Sequence, residues 1–200
     1  MEIRGNVRPF GGIRKNKGIN TMTTYSLFVL MYLSFEDQKK ITSFFMDKYQ
    51  VSPDSIERGM HITIYHSRRP IYSLKKSQSI VSIDVDVKET RFMVLAPGGE
   101  NPKPNLIPSK RSIGIRLTKR NIAIPDILKI RREAFKNETS FLNRKNTTDW
   151  QNAFGAHNFQ PHIKLLRPGN KLPYNLKDVG NDFRETFNKL NFTKIIVKEY

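Results

Sequence analysis

The sequence predicts an α+β domain built from two similar strand–helix–strand units. Short runs in which apolar and polar residues alternate, typical of half-buried strands, recur along the 200-residue chain. In two places such a run is followed by a helical segment and then by a second run that opens with histidine. This order indicates a weak internal duplication. If the units pack about a pseudo-twofold axis, their two polar faces meet across a groove.

The first unit has a buried strand, an amphipathic helix and a histidine strand. The apolar run 25–33 predicts the strand, and Ser34 with Asp37 three residues later predicts the start of the helix. Apolar residues at helical spacing follow, namely Ile41, Phe44, Phe45 and Tyr49. After a polar turn at 53–60, the second strand is expected over 61–66.

The rest of the chain predicts further strands and helices in a similar order. Strands are expected at 80–87 and 91–95 with a tight connection at 88–90, and at 112–117, 159–166 and 192–197; helices are expected at 125–135 and 183–190. The segment 97–110 contains four Pro and two Gly, which predicts a long loop. We therefore expect one domain over 25–200, with lobes of roughly 25–96 and 111–200, and a monomer. Residues 1–24 contain four Gly and a basic excess, which predicts a flexible N-terminal arm.

Composition restricts the chemistry and the location. The chain has no cysteine, so disulfides, thiolate catalysis and cysteine-ligated metals are excluded. The longest apolar run, 25–33, is far shorter than the roughly 20 residues that a membrane-spanning helix needs. It leads into an amphipathic segment without a small-residue cleavage site, so it does not resemble a secretory signal. We expect a cytoplasmic protein with no membrane partner.

The net charge of +17 indicates a polyanionic partner. The excess is largest over 111–170, where twelve Lys or Arg stand against four Asp or Glu, a net charge of +8. RNA, DNA, nucleotides or an anionic surface would each be attracted by such a field. The alternative is that the basic residues only keep the protein soluble.

The four histidines occur as two pairs, His61 with His66 and His157 with His162. Histidine changes charge near neutral pH, so two of them on matched strands are candidates for a general acid and a general base. The alternative is that His61 and His162 are structural residues at strand edges. His66 is predicted on the opposite face from His61, and the pattern does not place His157. The spacing disfavours a zinc site, and we expect no metal and no cofactor.

Four residues near the histidines are candidate substrate ligands. Strand alternation places Thr63 and Tyr65 on the face of His61, and Lys164 on the face of His162. A hydroxyl or an ammonium group can hold a phosphate oxygen, while Tyr65 could stack on a base. Arg68, just after the first strand, could bind a substrate phosphate. Each has a simpler interpretation: a strand residue, a groove-wall residue or an exposed charge.

The two histidine strands resemble the motifs of the 2H phosphoesterases, a family that includes bacterial 2'-5' RNA ligase-like proteins and cyclic phosphodiesterases. The family's mark is a pair of His-x-Thr/Ser-x tetrapeptides on strands that flank a groove. His61-Ile62-Thr63-Ile64 matches it fully, and His162-Ile163-Lys164-Leu165 has lysine in place of the hydroxyl residue. The lead-in 158–161 (Asn-Phe-Gln-Pro) is also similar.

The resemblance implies a two-lobed, pseudo-symmetric fold with antiparallel sheets around a central groove, and a metal-independent phosphodiesterase. Its substrates would be 2',3'-cyclic phosphates or 2'-5' phosphodiester bonds in RNA or nucleotides, with His61 and His162 as the acid–base pair. Two alternatives remain open. One is an RNA-binding module of this type with weak or no catalysis, and the other is a hydrolase of cyclic oligonucleotide signals.

Overall fold

Seven strands form one antiparallel sheet, in the order β3-β7-β1-β2-β6-β5-β4, and three α-helices accompany it in the described part of the chain. The computed structural model describes residues 27–67, 77–97, 101–141, 159–169, 172 and 174–199. The predicted arm 1–24 and the predicted ligand Arg68 lie outside these residues, as does His157. The α+β prediction is confirmed, whereas the strands form one continuous sheet where separate sheets were expected.

The helices and strands alternate along the chain. In chain order they are β1 (Leu27–Leu33), α1 (Phe35–Ser43), β2 (His61–Ser67), β3 (Ser77–Asp86), β4 (Thr90–Leu95), β5 (Ser112–Leu117), α2 (Ile124–Phe141), β6 (His162–Leu166), α3 (Leu176–Thr186) and β7 (Lys189–Glu199). A π-helical turn, Phe44–Lys48, extends α1. None of the helices in the described residues is long and apolar enough to cross a membrane.

The two predicted strand–helix–strand units are present as β1–α1–β2 and β5–α2–β6. The start of the first helix is as predicted, because the Ser34 hydroxyl accepts a hydrogen bond from the Asp37 amide at 3.1 Å. In each unit the histidine strand pairs with the strand that opens the unit. The two histidine strands, β2 and β6, are neighbours at the centre of the sheet. The duplication therefore brings the two motifs together.

Strand pairing crosses the predicted lobe boundary at 97–110. β4 pairs with β5, and β7 pairs with β1 and β3, so each predicted half contributes a strand to the other half's side of the sheet. β3 and β4, predicted with a tight connection, lie at opposite edges. Six strand spacings total about 29 Å in a flat sheet. The three connecting residues, 87–89, reach only about 14 Å, so the sheet has to curl.

The third helix starts earlier than the predicted 183–190. It begins after Asn175, whose side chain accepts a hydrogen bond from the Lys177 amide at 2.9 Å. Gly180, a poor helix former, lies in its middle, which explains why the pattern did not predict it. A Cβ on Gly180 would lie 2.8 Å from Cβ of Phe92 on β4, so close packing of α3 against the sheet requires glycine here.

One face of the sheet is covered by helices and forms the core. Phe45 after α1, Phe183 on α3 and Phe92 on β4 pack together, with ring centroids 5.8–6.5 Å apart. The Tyr49 hydroxyl donates to Asp182, which also pairs with Lys48 at 2.7 Å and so links the end of α1 to α3. The predicted apolar face of the first helix is therefore confirmed as core.

Candidate active site

His61 on β2 and His162 on β6 lie on the same face of the sheet. The two strands are antiparallel and pair at Ile62 and Ile163, which are both fully buried. The residues that flank a paired position point to the opposite face, so both histidines point away from that core. In this register they are diagonal neighbours, for which the typical Cα separation is about 7–8 Å. We call the surface that carries His61, Thr63, His162 and Lys164 the histidine face.

Both imidazoles are held by the same backbone contact. Nδ1 of His61 lies 2.8 Å from the carbonyl oxygen of Gly59, and Nδ1 of His162 lies 2.9 Å from that of Gln160. A carbonyl oxygen only accepts, so Nδ1 is the protonated nitrogen in each neutral ring and Nε2 is the acceptor. Gly59 has φ +68°, a conformation that favours glycine. The two motifs thus prepare Nε2 of both rings as proton acceptors.

Burial lowers the pKa of both histidines below 6.5. The carbonyl contacts act in the opposite direction. The positive charge of Lys164 lowers the pKa of each ring further, and the charge of His61 lowers the pKa of His162. These shifts favour the neutral form of both rings at pH 7. The influence of Lys164 on both, and of His61 on His162, agrees with the register in placing the three residues close together.

The third residue of each motif faces the histidine of the other motif. Because Ile62 pairs with Ile163, Thr63 lies across from His162, and Lys164 lies across from His61. Both side chains are half-buried. Each histidine thus has a hydroxyl or an ammonium group as its cross-strand neighbour, and Thr63 and Lys164 lie on the faces predicted for them.

A β-bulge follows the third residue in both motifs. Along β1 the partner changes from Thr63 to Tyr65, which leaves Ile64 as the extra residue of β2. Along β5 the partner changes from Lys164 to Leu166, which leaves Leu165 as the extra residue of β6. The bulge falls at the fourth position of each tetrapeptide. This shared irregularity supports the internal duplication.

The first bulge overturns the predicted positions of Tyr65 and His66. An extra residue shifts the alternation by one, so Tyr65 turns to the core, where it is fully buried, and does not face His61. His66 turns to the histidine face and stacks on Phe28, with ring centroids 4.0 Å apart and planes 13° apart. Tyr65 is therefore a packing residue, and His66 belongs to the same surface as His61.

The carbonyl oxygen of each bulged residue has a donor. Nη1 of Arg131, on α2, donates to Ile64 O at 2.6 Å, whereas the backbone amide of Glu57 donates to Leu165 O at 2.9 Å. Arg131 is only 2% exposed, and its guanidinium lies 4.3 Å from the ring centroid of Phe159. Burial lowers the pKa of Arg131 to about 10, so it remains charged at neutral pH. Arg131 thus connects the first motif to the segment that precedes the second.

Two neighbours of the histidines were not predicted from the sequence. Tyr32 pairs with His61, with ring centroids 5.3 Å apart, and the Nζ atoms of Lys194 and Lys198 lie 5.8 and 5.9 Å from the Tyr32 ring centroid. Arg116 pairs with His162 on the other side. In the sequence, Tyr32 lies within an apolar run, and no motif near Arg116 indicates a functional role. The signal that could have found them is strand pairing: a strand that pairs with a histidine strand places its alternate side chains on the same face as the histidine.

No three His, Cys, Asp or Glu side chains in the described ranges are grouped so that they could hold a metal ion. The chemistry that these residues offer is proton transfer by two imidazoles and binding of an anion by Thr63, Lys164 and Arg116. No family model, curated protein or solved structure matches this chain.

Proposed function

We propose that this protein is a phosphodiesterase of the 2H type, acting on 2',3'-cyclic phosphate or 2'-5' phosphodiester bonds in RNA or nucleotides without a metal. The observation that carries the proposal is the matched setting of His61 and His162. Each ring lies on a central strand, donates Nδ1–H to the carbonyl two residues earlier and precedes a bulge at the fourth motif position. Repetition of this setting at two neighbouring sites supports a paired function for the two rings.

The order of the elements supports the two-lobed 2H-like architecture. The units β1–α1–β2 and β5–α2–β6 place one motif strand each at the centre of the sheet. The strands β7 and β3 extend the sheet on one side, and β4 extends it on the other. In this proposal the histidine face is the floor of the substrate groove.

In the proposed hydrolysis, one neutral imidazole accepts a proton from water at Nε2 as the water oxygen bonds to phosphorus. The other ring, protonated at both nitrogens, gives its Nε2 proton to the departing ribose oxygen as the P–O bond breaks. A cyclic phosphate would yield a phosphomonoester and a free ribose hydroxyl. Binding of the anionic phosphate between the rings would raise their pKa and so help one of them to hold the proton.

Thr63 and Lys164 hold the non-bridging phosphate oxygens in this mechanism. Lys164 supplies a full charge across from His61, and Thr63 supplies a directed hydrogen bond across from His162. Both groups would interact more strongly as negative charge builds on the phosphoryl oxygens. Arg68, Lys194 and Lys198 would add electrostatic attraction for the phosphates of the substrate backbone.

Hydrolysis assays in EDTA test the proposal. The wild type should cleave a 2',3'-cyclic mononucleotide or a 2'-5'-linked dinucleotide, and His61→Ala and His162→Ala should each lose about 10²–10⁴-fold in kcat. Circular dichroism and thermal unfolding would verify that both variants are folded. Substantial activity in both folded variants would overturn the two-histidine mechanism. Cyclic oligonucleotides belong in the same assay, because hydrolysis of cyclic signals is an alternative within this class.

The second candidate function is RNA binding with weak or no catalysis. It is favoured by Lys164, which replaces the hydroxyl residue of the second motif, and by the cations that surround the histidines. In this case the wild type would be inert toward all three substrates but would bind single-stranded RNA, and its affinity would fall steeply with added salt. Salt-insensitive binding, or none, would remove nucleic acid as a partner.

A further inference from the structure

A cavity of about 940 Å³ opens beside His162. It lies between the ends of β4 and β5, the first turns of α2 and the segment that leads into β6. Gln160, whose carbonyl oxygen holds Nδ1 of His162, lines it together with Pro161. Arg116, the strand partner of His162, lines it as well. The cavity therefore adjoins the candidate active site through the neighbours of His162.

The charge of this cavity suits phosphate groups. Four basic side chains line it: Arg91, Arg116, Lys119 and Arg120. The acidic residue among the lining residues is Glu89, and its carboxylate already accepts a hydrogen bond from the Thr118 hydroxyl at 2.6 Å. Arginine forms directed, often bidentate, hydrogen bonds with phosphate oxygens.

The basic residues form a row that leads away from His162. Arg116 pairs with His162 and Arg91 pairs with Arg116, so the three residues lie side by side on β6, β5 and β4. Strand spacing is about 4.8 Å, which places the backbone of Arg91 about 10 Å from that of His162. This separation leaves room for Arg91 to hold a second phosphate beside the one held between the histidines.

The cavity also offers apolar surface for a base. Ile124, Leu128 and Phe159 contribute to its lining, and Leu128 is 40% exposed. Arg131 lies over the Phe159 ring. Aromatic rings and aliphatic side chains contact the flat faces of bases, and such contacts do not select a sequence. A volume within the usual 300–1,000 Å³ range of ligand pockets is sufficient for a nucleotide.

We propose that this cavity is a subsite for the nucleotide adjacent to the scissile phosphate on the His162 side, and that the substrate is therefore an oligonucleotide rather than an isolated cyclic mononucleotide. The inference rests on the proposed function for the position of the scissile phosphate. The basic row binds the next phosphate, and the apolar lining binds its base.

Binding measurements test this subsite without requiring turnover. The full-length protein, in EDTA, would be titrated with adenosine 3'-monophosphate and with a 3'-phosphorylated triadenylate. The test variant is Arg91→Ala/Arg120→Ala, which leaves Arg116 beside His162 intact. The control is Lys39→Ala/Lys40→Ala, which removes two exposed cations from α1. Thermal unfolding would verify the fold of both.

The wild type should bind the triadenylate at least about tenfold more tightly than the mononucleotide. The test variant should lose this advantage, keep its mononucleotide affinity and show a salt slope shallower by about 0.7 per lost phosphate contact. The control should lose little. Equal wild-type affinities, or equal losses in test and control variants, would overturn the subsite. If the binding pattern holds without any hydrolysis, the proposed enzyme function fails and the subsite stands. If the protein hydrolyses its substrate but does not bind the longer ligand more tightly, the subsite fails and the proposed enzyme function stands.

Discussion

The β1–α1–β2 and β5–α2–β6 units differ in their side chains much more than in their backbone. Each histidine opens its strand, donates Nδ1–H to the carbonyl two residues earlier and is followed by a bulge at the same motif position. The surroundings differ: Thr63 and Tyr32 accompany the first motif, while Lys164 and Arg116 accompany the second. The repeated backbone directs two imidazoles to one surface, and the variable side chains place cations on both sides of it: Lys194 and Lys198 near Tyr32, and Arg116 beside His162.

The two bulges show how the same backbone feature is stabilised in two ways. Ile64 O receives a hydrogen bond from the buried guanidinium of Arg131, and Leu165 O receives one from the Glu57 amide. A buried acceptor left without a donor costs about 1–3 kcal/mol. The first motif therefore depends on a side chain that substitution can remove, whereas the second depends on the backbone.

Among the positions at which the two motifs differ, substitution at the third motif position should change kcat/KM most. Lys164→Ala removes a charged hydrogen bond to phosphate, worth about 1.5–3 kcal/mol, and should lower kcat/KM about 10- to 150-fold. Thr63→Val removes a neutral one, worth about 0.5–1.5 kcal/mol, and should lower it about 2- to 12-fold. Steady-state kinetics on an oligonucleotide that ends in a 2',3'-cyclic phosphate would measure both.

Lys164→Thr would make the second motif like the first and should lose less activity than Lys164→Ala, because a directed hydroxyl hydrogen bond replaces part of the charged one. If the wild type is inert, the same change could restore turnover. Lys40→Ala, an exposed lysine on α1, is the control for loss of one positive charge. A flat response across lysine, alanine and threonine at position 164 would mean that this residue does not contact the substrate.

Arg131→Met should destabilise the first motif selectively. The change leaves Ile64 O without its donor, and we expect the free energy of unfolding to fall by about 1–3 kcal/mol in urea denaturation. Arg132→Met, the exposed neighbour on the same helix, should have little effect. In a folded Arg131→Met protein, the NMR resonances of His61 and His66 should shift more than that of His162. Equal effects of the two substitutions would contradict a role in holding the bulge.

The sequence was sufficient for most of the elements, although not for the bounds of α3, and it was not sufficient for their pairing. Alternation and helical spacing predicted β1, α1, β2 and β5 closely, because each buries an apolar face. The neighbours of β7 in the sheet could not be predicted, since its pairing depends on contacts between residues more than 90 positions apart in the chain, such as Val85 with Leu190.

In the candidate site, the pattern identified both histidines together with Thr63 and Lys164. It failed for Tyr65 and His66, because an inserted residue in a strand leaves no local signal and reverses every later side chain. The catalytic roles of these residues stay predictions.

The pH dependence of kcat/KM should show the shared electrostatics of the two motifs. Burial and Lys164 lower the pKa of both histidines below 6.5, so a bell-shaped profile should have its maximum below pH 6.5. Above the pH of the maximum, the histidine that acts as the acid loses its proton, and below that pH the histidine that acts as the base gains one. Lys164→Ala removes a positive charge and so should move the maximum to higher pH. An optimum above pH 7 in the wild type would contradict these shifts.

NMR titration of the histidine Cε1 protons tests most directly whether the two motifs form one site. His61 and His162 should both titrate below pH 6.5, and the pKa of His162 should rise in His61→Gln, because the charge of His61 lowers it. Inorganic phosphate bound between the rings should raise the pKa of both. If phosphate raises the pKa of only one ring, or if the pKa of His162 is the same in His61→Gln as in the wild type, the two histidines do not share a substrate and the account is wrong.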